Sequence, residues 1–286
     1  NPLPMASKRN LNIVIDVRPL LGGKVTGVEV YIHHLLKHLL ALDNENKYFL
    51  YTNAFSKASY SLLEYEKQNV VVVQTFIPNK LLNIGIFLLG KPLIDKLMTK
   101  KISFNEPIDI FFQPDLRPTA LSKSVKKITV VHDLSFFHYP ECFSWKTRLW
   151  YKIMNPQKQL QQSDHIIAVS AFTQQDLIST YKLPPEKISV IYEGVETDFC
   201  SNQSDKKRAQ VRKKYRLPEH YFLFLATLEP RKNMERLMKA FQKYRQDNPM
   251  STIKLVMAGV PNPEIFSKYK IKADPNIVLA GFIEEE

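Results

Sequence analysis

The chain has 286 residues, of which 44% are hydrophobic and 11% aromatic, so it can bury the core of one large or two medium domains and is not wholly disordered. Its two cysteines, Cys142 and Cys200, exclude a disulfide-rich secreted scaffold and favour a reducing compartment. No uncharged apolar run reaches the roughly 18 residues of a membrane span. The net charge of +12 favours an anionic partner: nucleic acid, a phosphate-bearing ligand or an acidic membrane surface.

The first two hundred residues alternate between strand and helix patterns. A buried strand at 11–17 leads into a glycine-bearing loop at 22–27, and a helical apolar face then begins at Val28. This succession opens a βαβ unit. Further strands are predicted at 47–51, 70–73, 108–112, 128–131, 166–169 and 188–191, and helices at 80–100, 145–162 and 171–181. Breaks are expected near Pro92 and at Pro156, and Ser170 is the expected N-cap of the helix that follows it.

The composition changes between Thr197 and Pro218, where polar residues and then a basic run replace the apolar pattern. This change predicts a linker and a basic helix, after which the alternation restarts with strands at 222–225, 253–257 and 277–280 and a helix at 234–245. We therefore expect an α/β protein with two domains, 1–200 and 201–286. The second has too few strands for a typical sheet and is expected to be incomplete, as part of a longer protein.

Candidate ligand-binding residues follow the predicted strands. Gly27 ends the first loop at a helix start, and His132 with Asp133 ends the strand at 128–131. Ligands of open parallel sheets bind at the carboxyl ends of strands. We therefore expect Gly27 and His132 to lie at the same edge of the first sheet. A helix N-terminus attracts phosphate, and a histidine can bond a sugar hydroxyl or move a proton. The alternatives are an ordinary loop and a structural histidine.

The second unit repeats this arrangement in Thr227–Asn233. Arg231 and Lys232 lie between a strand end and a helix start, where two cations can bind a diphosphate, and Asn233 is the expected cap. The alternative is a pair of solvated cations in a loop.

Three other clusters suggest function less strongly. His34 and His38 have the spacing of metal ligands, but no third ligand is evident nearby, so no metal site is expected. The basic run 206–216 lacks a nucleic-acid-binding motif and is expected to be a solvated helix. The apolar segment 81–98, with lysines at both ends, fits a core helix or, less well, a helix in a membrane interface.

Four stretches together resemble the family-4 glycosyltransferases, and the resemblance covers nearly the whole chain from Asn12 onward. They are Thr26–Tyr31; Val131–Ser135 with Tyr139–Glu141; Ala168–Thr173 followed by Ile191–Phe199; and Leu225–Asn233. The resemblance implies the GT-B fold, in which two Rossmann-like domains with parallel sheets face each other across a cleft. The N-terminal domain would hold the acceptor and the C-terminal domain the nucleotide-sugar donor.

The resemblance also implies roles for the candidate residues. Gly27 would let the first loop approach the donor phosphates or sugar, and His132 would contact the transferred sugar as the catalytic residue. Arg231 and Lys232 would bind the donor diphosphate, so that no metal or other cofactor is expected. The backbone of Gly281–Ile283 would contact the nucleotide base, which makes Ile283 a donor-binding residue.

Three departures from the family pattern qualify this expectation. Ala226–Thr227 stands where the family often has Gly-Arg, so Thr227 occupies a donor-binding position without supplying a cation. Glu193 stands where asparagine is common. The family's paired-glutamate motif is not in the chain, so the chain would carry only part of the donor site.

The reaction implied is transfer of a hexose, mannose-like or glucose-like, to an acceptor hydroxyl with retention of configuration. The expected partners are a nucleotide-diphosphate sugar and a glycan or lipid-linked acceptor, with peripheral contact to an anionic membrane. The expected location is the cytoplasm, including the inner membrane face. A nucleotide-binding module without transfer activity is the alternative. A basic nucleic-acid-binding protein is a weaker one, supported only by charge.

Overall fold

The computed structural model describes residues 9–21, 26–53, 61–104, 106–196, 204–228, 230–259 and 274–283. Within these ranges the chain folds into two compact units. The first takes the described residues up to Leu134 together with Leu149–Gly194, and the second takes Ser135–Arg148 together with the described residues from Val195 onward. The change of unit after Gly194 comes slightly earlier in the chain than the boundary expected from composition.

A parallel sheet forms the centre of the first unit. Its strands are β1 (Asn12–Asp16), β2 (Lys47–Asn53), β3 (Val70–Thr75), β4 (Ile110–Gln113), β5 (Lys126–Val131), β6 (His165–Ala168) and β7 (Ile188–Val190). They lie in the order β3-β2-β1-β4-β5-β6-β7, and all neighbouring strands pair in parallel. The strand order therefore reverses between β1 and β4, where open parallel sheets have their ligand crevice.

The helices confirm the predicted alternation of elements. In chain order they are α1 (Gly27–Leu42), α2 (Asn79–Leu89), α3 (Ile94–Lys101), α4 (Ser135–His138), α5 (Trp145–Met154), α6 (Pro156–Gln161), α7 (Ala171–Tyr181), α8 (Asp205–Tyr215) and α9 (Met234–Asp247). The short helix α4 and several 3-10 turns were not predicted.

Apolar residues cover both faces of the first sheet because side chains alternate along a strand. Ile15 and Leu50 pack in one cluster with the apolar positions of α1, while their neighbours Val14 and Phe49 pack in another with α2 and α3. The α1 residues in the first cluster, Ile32, Leu36 and Leu40, are at most 1% exposed. Each such side chain contributes about 1.5–3 kcal/mol by leaving water, which holds the helices against the sheet.

The predicted helix breaks and the predicted cap are confirmed. Gly90 ends α2 in the left-handed conformation with φ 61°, and α3 begins after Pro92. Asn155 caps α6 by accepting a hydrogen bond from the Lys158 amide, and Pro156 takes the first helical position, where its missing N–H costs nothing. Ser170 caps α7 by accepting from the Thr173 amide at 3.0 Å.

The second unit contains a smaller parallel sheet. Its described strands are β8 (Tyr221–Leu225), β9 (Lys254–Ala258) and β10 (Ile277–Gly281), in the order β10-β9-β8. Leu255 and Met257 of β9 pack with Met234 and Phe241 of α9. Part of the apolar surface of this sheet is exposed.

That surface includes Leu223, Leu225 and Leu279, each more than half exposed. Across the described parts of both units, no helix has both the length and the apolar character that crossing a membrane requires.

Candidate functional site

The site in the first unit lies at the carboxyl edge of the sheet, beside the reversal of strand order. Pro114 follows β4, His132 follows β5 and Glu193 follows β7. Helix α1 begins at Gly27, after the loop that leaves β1. Parallel pairing brings the ends of these strands together, and this placement agrees with the edge predicted for Gly27 and His132.

His132 is held by two hydrogen-bond acceptors. Its Nε2 lies 3.0 Å from the carbonyl oxygen of Pro114, and its Nδ1 lies 3.2 Å from Oε1 of Glu193. A carbonyl oxygen only accepts, so Nε2 carries a proton and donates it. Nδ1 faces the Glu193 carboxylate, whose oxygen is a hydrogen-bond acceptor. The side chain of His132 is 21% exposed, so it is open to a ligand and is not part of the packed core.

Two neighbouring elements orient this histidine. The ring of Tyr31, in the first turns of α1, meets the imidazole edge-on with centroids 5.0 Å apart. The backbone carbonyl of His132 accepts a hydrogen bond from Thr173 Oγ1 of α7 at 3.1 Å. Burial, and then the nearby charge of Glu193, raise the pKa of Tyr31 to about 12. The Tyr31 hydroxyl therefore stays protonated at neutral pH and can donate a hydrogen bond.

Gly27 lies in the first turn of α1, which a capping box fixes. Thr26 Oγ1 accepts from the Glu29 amide at 3.4 Å, and Glu29 Oε2 accepts from the Thr26 amide at 2.8 Å. A Cβ built on Gly27 would meet no described atom within 4 Å, and its φ is not in the left-handed range. Packing against the described residues therefore does not require a glycine here, and the space above it is open to a ligand.

The candidate residues of the second unit follow β8. Thr227 is exposed, and Arg231 and Lys232 are exposed in the 3-10 turn Pro230–Lys232 that precedes α9. Asn233 occupies the N-cap position in the left-handed conformation, with φ 57°, and makes no side-chain capping bond. The sequence thus predicted the position of this cap correctly and its hydrogen bond wrongly. The N-terminus of α9 adds its partial positive charge to that of the two cations.

Ile283 lies at the same edge of the second sheet as this turn. Ala258 of β9 pairs with Leu225 of β8 on one side and with Gly281 of β10 on the other, so the segments after β8 and β10 leave from one edge. The amide of Gly259 donates to the Gly281 carbonyl at 2.7 Å and ties the strand ends together. Ile283 itself is partly buried.

Sequence reasoning missed the partners of His132. Tyr31 and Glu193 lie within the stretches that suggested the family, yet neither was assigned a role. Glu193 is 61 residues from His132 along the chain, and only the pairing of β5, β6 and β7 brings them together. The available signal was position, because Pro114 and Glu193 both follow strands and share the edge predicted for His132.

Comparison with known proteins identifies the family. Residues 25–199, more than half of the chain, match the Glycosyltransferase Family 4 model. The serotype-specific mannosyltransferase WbdA of Escherichia coli is 30% identical over 172 residues, which cover 56% of this chain and 20% of that protein. The chain spans about a third or less of the length of the curated relatives that it matches.

Solved structures show the fold. A glycosyltransferase from Rickettsia africae superposes with a TM-score of 0.61 at 20% identity, covering 96% of this chain and 69% of that one. Anabaena HepE, solved with UDP-glucose, superposes with a TM-score of 0.58 at 15% identity, covering 95% of this chain and 69% of that one. The fold is GT-B, and on the strength of the family match the chain belongs to glycosyltransferase family 4.

Proposed function

We propose that this chain is part of a glycosyltransferase that transfers a hexose from a nucleotide-diphosphate sugar to an acceptor hydroxyl with retention of configuration. The observation that carries the proposal is that each candidate residue follows or lies beside a strand end at the carboxyl edge of its own sheet. Gly27 and His132 occupy that edge in the first unit, and Arg231, Lys232 and Ile283 occupy it in the second. That the two edges face each other stays a prediction from the family resemblance.

In this proposal Arg231 and Lys232 stabilise the departing diphosphate. Their charges and the partial positive charge at the N-terminus of α9 would stabilise the negative charge that develops on the diphosphate as the bond between sugar and phosphate breaks. Thr227 lies beside them and offers a hydroxyl, and the backbone near Ile283 would meet the base. Protein cations would thus do the work that a metal ion does elsewhere.

His132 would orient the transferred sugar. Both of its ring nitrogens are engaged, so a sugar hydroxyl must replace one of the two acceptors. The side chain of Glu193 is 49% exposed, whereas Pro114 O belongs to the backbone, so Glu193 is the partner that yields. No protein nucleophile is proposed.

The printed names of the relatives support the proposed donor class. WbdA is named a mannosyltransferase and HepE was solved with UDP-glucose, which supports a mannose-like or glucose-like hexose on a nucleoside diphosphate. We propose a glycan or lipid-linked acceptor and a cytoplasmic location with peripheral contact to an anionic membrane. Leu81, Ile84 and Leu88 of α2 are exposed between Lys80 and Lys91, which supports that contact.

Nucleotide binding by the full-length protein tests the donor site. Lys232→Ala should weaken nucleoside-diphosphate binding by at least tenfold, because a hydrogen bond to a charged group contributes about 1.5–3 kcal/mol. Lys243→Ala, an exposed lysine farther along α9, is the matched control and should leave affinity unchanged. If calorimetry gave equal nucleoside-diphosphate affinities for Lys232→Ala and the unmodified protein, Lys232 would not bind the donor.

Turnover tests the role of His132 and separates the enzyme from a binding module. His132→Ala should lower kcat more than it changes nucleotide affinity, since the proposed partner of His132 is the sugar. Nucleotide binding by the unmodified full-length protein without transfer to any glycan or lipid-linked acceptor would favour the non-catalytic alternative.

A further inference from the structure

A pocket lies in the first unit, at the opposite edge of the sheet from His132. Its volume is about 790 Å³, within the range of small-molecule sites. The lining comes from the end of α2, the segment before β5, the start of β5 and the α5–α6 region. Lys127 lines it near the start of β5, and His132 follows the end of that strand. His132 is five positions after Lys127, a rise of roughly 16 Å along the strand, so a ligand here is not at the reacting centre.

Lys127 is the unusual residue of this pocket. It is only 5% exposed, and its ammonium donates a hydrogen bond to Oε1 of Gln159, a neutral acceptor, at 3.1 Å. Among the described residues it forms no ion pair with a carboxylate. Burial of an ammonium group without an opposite charge is costly, so the site favours an anion that would supply that charge.

The buried charges behind Lys127 do not neutralise it. Asp16 lies near Lys127, but its carboxylate is already paired with Arg18 at 2.6 Å, and both of these side chains are buried. The Asp16 carboxylate is therefore engaged by Arg18 and forms no ion pair with Lys127. Burial and then the charge of Arg18 lower the pKa of Lys127 to about 7, which agrees with an ammonium short of negative charge.

The rim of the pocket is also basic. Lys123 and Lys158 line it and are exposed, so both can turn toward a ligand. Asp164 also lines it, but its Oδ1 lies 2.9 Å from Lys126 Nζ and its Oδ2 accepts from the Lys127 amide at 2.9 Å. The carboxylate in the lining is thus already engaged, and three lysines remain for an anion.

The other wall of the pocket is apolar. Phe87 and Leu88 of α2 line it opposite Ile153 of α5. Leu88 is 77% exposed and Ile153 48% exposed, so large apolar surface continues outward from the pocket. The ring of Phe87 meets that of Trp150 edge-on with centroids 6.0 Å apart, which joins the two helices along this wall.

We propose that this pocket binds a phosphate group attached to an apolar group, with the phosphate on Lys123, Lys127 and Lys158 and the apolar part against Leu88 and Ile153. This site is independent of the proposed donor site, which lies in the other unit. Its phosphate can come from a lipid head group or from a soluble phosphate compound, and the experiment separates these sources.

Calorimetric titration of the full chain tests the proposal with two probes, dihexanoyl phosphatidic acid below its micelle-forming concentration and inorganic phosphate. Arg231→Ala/Lys232→Ala serves as the background, so that phosphate binding at the proposed donor site does not contribute. Lys127→Met should weaken binding by about tenfold or more, since it removes a charge-assisted hydrogen bond. Lys96→Met, an exposed lysine of α3 outside the pocket, should have no effect.

A second variant covers the case in which Lys127→Met does not fold. Lys123→Ser/Lys158→Ser changes only exposed side chains and should also weaken binding of both probes. Tighter binding of the lipid than of phosphate, lost in Leu88→Ser/Ile153→Ser, would assign the site to a lipid head group. Equal binding of both probes with the same lysine dependence would assign it to a soluble phosphate.

Two outcomes overturn the proposal. One is that neither probe binds the background protein at millimolar concentration. The other is that binding persists unchanged in Lys123→Ser/Lys158→Ser and in folded Lys127→Met. Neither outcome bears on the proposed donor site, because Arg231 and Lys232 are absent from every protein tested here.

Discussion

His132 faces two acceptors, the Pro114 carbonyl and the Glu193 carboxylate. Nε2 donates to the carbonyl, and Nδ1 lies 3.2 Å from the carboxylate. Glu193 also stands where the family commonly has asparagine, which carries no charge. This chain therefore places a carboxylate beside His132 where the family pattern has a neutral amide.

We predict that Glu193→Gln lowers the KM for the donor of the full-length enzyme about two- to fivefold and leaves kcat unchanged, because the sugar hydroxyl then displaces a neutral amide from His132 instead of a carboxylate. The interaction is half exposed and is expected to be worth about 0.5–1 kcal/mol. Steady-state kinetics measures both quantities. Glu186→Gln, an exposed glutamate in the turn before β7, is the control. A fall in kcat with constant KM would show that Glu193 stays on His132 during transfer instead.

The low pKa of Lys127 predicts that the stability of the folded chain increases with pH above pH 7. Burial lowers its pKa from 10.5 to about 7 in the folded chain, while the unfolded chain keeps the ordinary value. Between pH 7 and about 10 the unfolded state therefore binds more protons, and the contribution of Lys127 to the free energy of unfolding rises with pH. Below pH 7 Lys127 is charged in both the folded and the unfolded state. The full cost of burying its charge then lowers the free energy of unfolding.

We expect Lys127→Met to remove this rise, because methionine fills similar space without a charge. Urea midpoints at pH 7, 8 and 9, followed by circular dichroism, should increase less with pH in Lys127→Met than in the unmodified chain. Lys126→Met is the control, since Lys126 is adjacent and its side chain is 67% exposed. Parallel pH profiles for Lys127→Met and the unmodified chain would contradict the assigned burial.

Strand β9 positions the proposed donor residues through the glycine that follows it. Gly259 has φ 131°, a conformation that side chains rarely adopt, and a Cβ there would lie 1.8 Å from the Ala226 carbonyl oxygen. That carbonyl belongs to the segment that carries Thr227. The close approach of the two strand ends thus depends on the missing side chain.

We predict that Gly259→Ala destabilises the second sheet by about 1–3 kcal/mol from backbone strain alone, with the steric clash adding to it. Hydrogen–deuterium exchange of peptides covering β8 and β9 should become faster, and nucleoside-diphosphate affinity should fall because the turn before α9 shifts. Gly194→Ala is the matched control, since a Cβ there meets no described atom within 4 Å. Unchanged exchange in β9 would contradict the predicted clash.

The division of the chain into two units predicts where a protease reaches it first. Helix α8 contains no buried residue and carries a dense set of lysines and arginines, whereas α9 is also basic but buries Met234 and Phe241. An exposed helix opens locally at low cost in free energy. The composition change seen in the sequence, between Thr197 and Pro218, includes this helix.

We expect limited trypsin digestion to cut first between Phe199 and Pro218 and to release two fragments. Mass spectrometry of the early products identifies the cut. The basic residues of α9 serve as an internal comparison, because equal cleavage there would indicate that exposure of α8 does not decide the order. Resistance throughout residues 199–218 would count against a boundary in this stretch.

Local patterns determined most of the elements of this fold. The change from strand to helix periodicity located the strands and the longer helices, and Pro156 and Ser170 marked a break and a cap that the structure confirms. These signals suffice because hydrophobic periodicity and capping involve residues within a few positions of each other. Their order along the chain also indicated which residues follow strands, and hence the sheet edge that carries Gly27 and His132.

Contacts between distant segments required the fold itself. Lys126 and Lys127 are identical neighbours in sequence, yet Lys126 is exposed and Lys127 is buried, because successive strand residues face opposite sides and packing decides which side is covered. The sequence also did not predict the pairing of His132 with Glu193, because it depends on how distant strands pack. Sequence alone determined the α/β class, the family resemblance and the strand-end positions, whereas strand pairing and helix packing determined which charges meet and which remain buried.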